Sequence, residues 1–135
     1  MAEIDASDIE IKSAEDALKL FKKVVSNGRL GTEYSIKASE KNNDFFNTYN
    51  VNEKTIKEIV GSLTMNDYVK TEKSRNEAHK NDVLYFFNKK VKLSYFYDII
   101  DKVIVNLYIK FTWPDGKDRV LILSIHPKDY EDEVN

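Results

Sequence analysis

The stretch Val103 to His126 constrains this chain more than any other. It reads as a β-branched and aromatic run, a turn, and a second apolar run. In the first run Val105, Leu107, Ile109 and Phe111 alternate with Asn106, Tyr108 and Lys110, the period of a strand with one buried face. Pro114-Asp115-Gly116 is a turn signal, because proline presets φ and glycine supplies positive φ. Val120 to Ile125 is almost continuously apolar, as expected of a strand covered on both faces. The expectation is a β-hairpin whose second strand is central and buried, with Tyr108, Lys110 and His126 gathered on its surface.

The preceding residues add helices. Ala17/Leu18, Leu20/Phe21 and Val24/Val25 recur at helical spacing, with Ser13 as the expected N-cap and Asn27-Gly28 as the close. Lys19, Lys22 and Lys23 read as the solvated face of that helix, or as groups facing a ligand. Residues 1–12 read as an acidic arm or a short strand. Glu33 to Lys41 is ambiguous between helix and strand, and Asn42 to Asn50 reads as a polar loop with Phe45, Phe46 and Tyr49 as core plugs. Asn52 caps a clear helix with Ile56, Ile59, Val60 and Leu63 on one face. Thr64 to Asp67 adds a further turn, Val69 to Lys73 starts a strand, Glu72 to Lys80 is an exposed loop, and Asp82 to Phe87 is a strand. Leu93 to Ile100 admits strand, short helix or insertion. Helices followed by an antiparallel sheet give an α+β fold, expected as one domain over 1–135.

Charge is segregated. Residues 1–16 hold six acids and one base, and residues 129–135 hold four acids. Residues 17–127 carry 19 bases against 13 acids, a net of +6. A basic body suits a polyanion, and the acidic ends suit either partner contact or solubility. With no cysteine, disulfides and thiolate metal sites are excluded. No apolar run or leader pattern suggests a membrane or export, so a cytoplasmic protein is expected. The four glycines are dispersed, His79 and His126 lie far apart, and no nucleophile elbow occurs, which argues against nucleotide-loop, metal and serine-hydrolase chemistry.

What remains is lysine, tyrosine, histidine and amide chemistry. RNA cleavage without metal needs a base for the 2′-OH, a cation for the phosphate and an acid for the leaving oxygen. Histidine serves as acid or base near neutrality. Lys70 and Lys110 suit phosphate, and exposed Tyr68, Tyr85 or Tyr108 suit stacking on unpaired bases.

Four stretches carry a family resemblance. Leu20 to Tyr34 (LFKKVVSNGRLGTEY), Val51 to Lys70 (VNEKTIKEIVGSLTMNDYVK), Asn81 to Tyr85 (NDVLY), and the pair Leu107 to Phe111 (LYIKF) with Val120 to Ile125 (VLILSI) follow one another in order. In this order the chain resembles the MqsR family of toxin–antitoxin mRNA interferases, which have a RelE-like fold. The resemblance implies that Lys70, Asn81, Tyr108 and His126 line an RNA-cleaving surface. It implies no cofactor and no metal, a single-stranded mRNA substrate and an antitoxin partner. Val69 stands where the family has tyrosine, Asn81 where it has glutamine, and His126 where it has lysine. The segment Phe86 to Asn106 is longer than usual for the family. The alternative is a binding module that kept such a fold without the chemistry, for example a phage- or plasmid-encoded inhibitor of a defence enzyme, of anti-CRISPR or related type.

Overall fold

The computed structural model describes residues 6–116 and 118–128. The first five residues of the acidic arm and the whole tail 129–135 lie outside the described residues.

The fold is α+β, with three helices and a five-stranded, mostly antiparallel sheet. Helix α1 spans Ala6–Asn27, α2 spans Glu40–Thr48 and α3 spans Glu53–Ser62. Strands β1 (Tyr34–Ile36), β2 (Tyr68–Lys73), β3 (Val83–Tyr95), β4 (Asp98–Thr112) and β5 (Val120–Pro127) are ordered β1-β5-β4-β3-β2. Only the β1–β5 pair is parallel. Strand β5 is therefore interior, but β4 is the middle strand, a correction to the expected centre.

The alternation in β4 sets the two faces. Val105, Leu107, Ile109 and Phe111 are buried, whereas Asn106 is exposed and Tyr108 and Lys110 are half-buried. The inward set packs on α1, where Phe21 stacks on Phe111 with ring centroids 3.8 Å apart. Helix α3 adds Ile56, Ile59 and Val60 to the same core. Its start is held by the expected Asn52, whose side chain accepts from Thr55 N while Thr55 Oγ1 accepts from Asn52 N.

Two lysines lock α1 to α3 by capping carbonyls that a helix end leaves unpaired. Lys57 Nζ donates to Gly28 O at 2.6 Å, just past the end of α1. Lys22 Nζ donates to Leu63 O at 2.7 Å, at the end of α3. Lys22 is thus a structural cap, not part of a solvated or ligand-facing stripe. Gly28 itself has no room for a side chain, since a Cβ would lie 2.6 Å from Val24 O.

Several expectations fail for physical reasons. Helix α1 begins at Ala6, so Ser13 is an exposed mid-helix residue and residues 6–12 are not an arm. No Gly or Pro interrupts Ala6 to Asn27, and extending an existing helix costs far less than nucleating one. Residues Asn42 to Asn50 are mostly helix α2, capped by Ser39, whose Oγ accepts from Asn42 N at 3.2 Å. In the Pro114–Gly116 turn Asp115 takes a left-handed conformation, at φ 54°. Its N–H donates to Asp82 Oδ1 at 2.8 Å, tying this turn to the start of β3. The open question at Leu93 to Ile100 resolves as the β3–β4 hairpin, with a register shift after Ser94.

Helix α2 earns its place through Asn42, which is 1% exposed. Strand β1 ends at Ile36, so β5 beyond Ile122 needs another partner. Asn42 supplies it. Its Nδ2 donates to Lys37 O at 2.9 Å and Leu123 O at 3.1 Å, and its Oδ1 accepts from Ile125 N at 2.9 Å. One amide stands in for a missing length of strand.

Candidate nucleic-acid site

Cross-strand register brings the outward residues together, because directly paired residues point to the same face. Phe86 pairs with Lys110, and Lys110 with Ser124. Asn88 pairs with Tyr108, and Tyr108 with His126. From the edge strand, Lys70 pairs with Phe86. The face opposite the core is therefore organised in two rows around one aromatic ring.

Phe86 is that ring. Lys70 Nζ lies 4.8 Å from its centroid and Lys110 Nζ 5.6 Å, and Tyr108 is 6.0 Å away, centroid to centroid. Phe86 is 4% exposed, covered by the stems and charges of the two lysines. Tyr108 lies 5.6 Å from His126, ring to ring. Lys70, Lys110, Tyr108 and His126 thus belong to one contiguous cluster.

The start of helix α2 and the residues just before it close the Tyr108, Lys110 and His126 part of this cluster into a cleft that Lys70 does not line. Lys37, Ser39, Glu40 and Lys41 face Tyr108, Lys110, Ser124 and His126 across about 430 Å³. Three lysines, a tyrosine, a histidine and two hydroxyls line one concavity, a composition suited to a phosphodiester. Lys37 and Lys41 could not be read from the sequence as site residues, because their segment has no clear helical or strand period. Their only sequence signal is Ser39 as a cap for the helix that carries Lys41.

His126 is 5% exposed and lines this cleft on one side and a smaller cleft, with Asp44 and Thr48, on the other. Its Nδ1 is 2.9 Å from Pro127 O. A carbonyl only accepts, so Nδ1 carries the proton in the neutral ring and Nε2 is the basic atom. Lys70 is paired with Glu72, Nζ to Oε1 at 2.8 Å. That hydrogen bond, reinforced by the charges of Lys70, Arg75 and Lys110, holds the Glu72 carboxyl below its usual range against the opposing effect of desolvation. Asn88 Oδ1, in the row of Tyr108 and His126, is shielded from solvent and has no hydrogen-bond partner among the described residues. A buried acceptor in that condition is costly, and a donor entering the row would relieve it.

The other expected site residues separate from the cluster. Tyr85 points to the core face, 9% exposed, stacked on Phe111 at 5.4 Å and edge-on to Trp113. It is not an exposed stacking group. Tyr68 packs on Phe87 of the core, and its hydroxyl lies 2.7 Å from Thr71 Oγ1. Asn81 is exposed in the turn before β3 and does not line the cleft.

A second polar group lies in an adjoining cleft of about 240 Å³ that shares Lys37 and Lys110. His79 Nδ1 is 3.7 Å from Asp82 Oδ2 and 3.6 Å from Asp115 Oδ1. These donor atoms lie within 4.8 Å of one another, a spacing that suits either a divalent cation or an ion triad with protonated histidine. No metal spacing is readable in the sequence because Asp115 arrives from a different turn. No protein-family model, curated protein or solved structure matches the chain.

Proposed function

We propose that the chain is a metal-independent endoribonuclease, acting on single-stranded mRNA as the toxin of a toxin–antitoxin pair in the bacterial cytoplasm, with a RelE/MqsR-like arrangement of its helices and sheet. One observation carries the reading: Lys37, Lys41, Lys110, Tyr108 and His126 converge on a single cleft from two separate parts of the chain. Lysines hold the scissile phosphate and offset the charge that grows on its oxygens. His126 Nε2 takes the proton of the 2′-OH, and the 2′-oxygen attacks phosphorus as the bond to the 5′-oxygen breaks. The products are a 2′,3′-cyclic phosphate and a 5′-hydroxyl, the latter protonated by a lysine or by water. Tyr108, beside His126, orients the 2′-OH. Lys70 joins once its pairing with Glu72 is exchanged for phosphate. An antitoxin partner would cover this basic face.

The test is cleavage of single-stranded RNA by the purified protein in EDTA, beside His126→Gln and Tyr108→Phe. The expected result is cleavage leaving cyclic phosphate ends, reduced about a hundredfold by His126→Gln. A folded wild type that cuts no RNA would remove the enzyme reading and favour a binding module on the same face.

A further inference from the structure

The basic cluster does not stop at the cleft. The β3–β4 ladder continues on the same face through Lys90 opposite Asn106, Lys92 opposite Ile104, and Ser94 opposite Lys102. Lys90, Lys92, Lys102 and Ile104 are all exposed. None of these three lysines is in an ion pair among the described residues. Among the described residues, the β3–β4 ladder carries no acid on this face between the Phe86–Lys110 row and the Ser94–Lys102 row. Asp98 and Asp101 are the acids at the hairpin end, and Asp98 Oδ1 accepts from Ile100 N and Asp101 N.

We infer that the outward face of the β3–β4 hairpin is a binding track for the RNA that flanks the cleaved bond, with Lys90, Lys92 and Lys102 on successive phosphates and Ile104 under a base. This rests on the ribonuclease reading and extends it from the scissile phosphate to the substrate's length. Eight residues of β3 separate the two terminal rows, about 26 Å at the usual rise of a strand. Comparable single-strand grooves hold about 4–16 nucleotides. The occupant is single-stranded because Ile104 is 69% exposed in the middle of the track. An unpaired base can rest its face on that side chain, whereas duplex bases are stacked away from it. Lys90 and Lys92 stand on alternate residues of β3, and Lys102 of β4 is paired with Ser94, the next residue of that alternate set, so the three charges share a face instead of alternating across the sheet.

The experiment compares wild type with the triple variant Lys90→Gln, Lys92→Gln, Lys102→Gln. Binding is measured against RNA of about four nucleotides and about sixteen nucleotides, across a salt series. All three side chains are exposed, so the variant should unfold with the wild type in urea, which is checked directly. The expected result is unchanged affinity for the short RNA and about tenfold weaker binding of the long one at low salt, with the salt slope reduced by about 2, or about 0.7 per phosphate released. Equal binding of the long RNA by both proteins, with wild type still cleaving, would overturn the track and leave the cleft intact. Equal loss for short and long RNA would assign the lysines to general attraction and overturn it too. Preference for a duplex of the same length would overturn the single-stranded occupant, and a wild type that binds neither RNA would overturn track and ribonuclease together.

Discussion

Replacing Asn42 by alanine tests whether one amide holds α2, and with it half of the cleft. The side chain is 1% exposed and makes three hydrogen bonds to the backbone of residues 37, 123 and 125. Each is worth about 1 kcal/mol net, and each orphaned buried backbone group costs about 1–3 kcal/mol. Water reaching the sheet edge offsets part of this, so the expected loss is about 3 kcal/mol. For a domain of this size that lowers Tm by about 10 °C. Asn42→Asp separates shape from hydrogen bonding. It keeps the acceptor for Ile125 N but turns a carboxylate toward two carbonyl oxygens, so it should lose at least as much. The assay is urea unfolding at neutral pH, read as a change in midpoint at constant slope. On the functional reading, RNA cleavage falls as well, because Lys37 and Lys41 flank Asn42. A loss under about 1 kcal/mol for both variants would refute the argument that this amide replaces a strand.

Other perturbations reach different parts of the molecule. Phe21→Ala removes a ring stacked 3.8 Å from Phe111; the expected cost is about 3–5 kcal/mol by urea unfolding, and a loss under about 1 kcal/mol would mean the core closes around the gap. Gly31 has φ +92° and open space where a Cβ would go, so Gly31→Ala should cost about 1 kcal/mol from backbone conformation alone, and no loss would show that the turn relaxes. Glu53 accepts from Leu30 N and from Tyr34 Oη, and these bonds hold its carboxyl below the ordinary value of 4.5. A depressed folded-state value means stability that is present above 4.5 and lost as pH falls through the lower one. Glu53→Gln should therefore be less stable than wild type at neutral pH, with the difference shrinking in acid; a difference independent of pH would refute the coupling.

The sequence by itself determined the elements whose pattern is local. Alternation in Val105 to Phe111 assigned each of those residues of β4 to a face, and that assignment put Tyr108 and Lys110 outward. Asn52 and the apolar spacing of Ile56, Ile59 and Val60 marked α3 and its core face. Only the tertiary structure decided the rest. Val83 to Phe87 is apolar at consecutive positions, so its parity is unreadable until pairing with β4 turns Tyr85 and Phe87 inward and Phe86 outward. Helix α2 buries chiefly Asn42 and Phe45, too few apolar positions to produce a period, and it docks through hydrogen bonds to β5 that no local pattern encodes. Lys37 and Lys41 reach the cleft only through that docking, and His79 meets Asp115 only because two turns close on Asp82. Periodicity records which side of an element avoids water. Which elements then meet depends on backbone groups finding partners distant in sequence, and in this chain the cleft lies where they do.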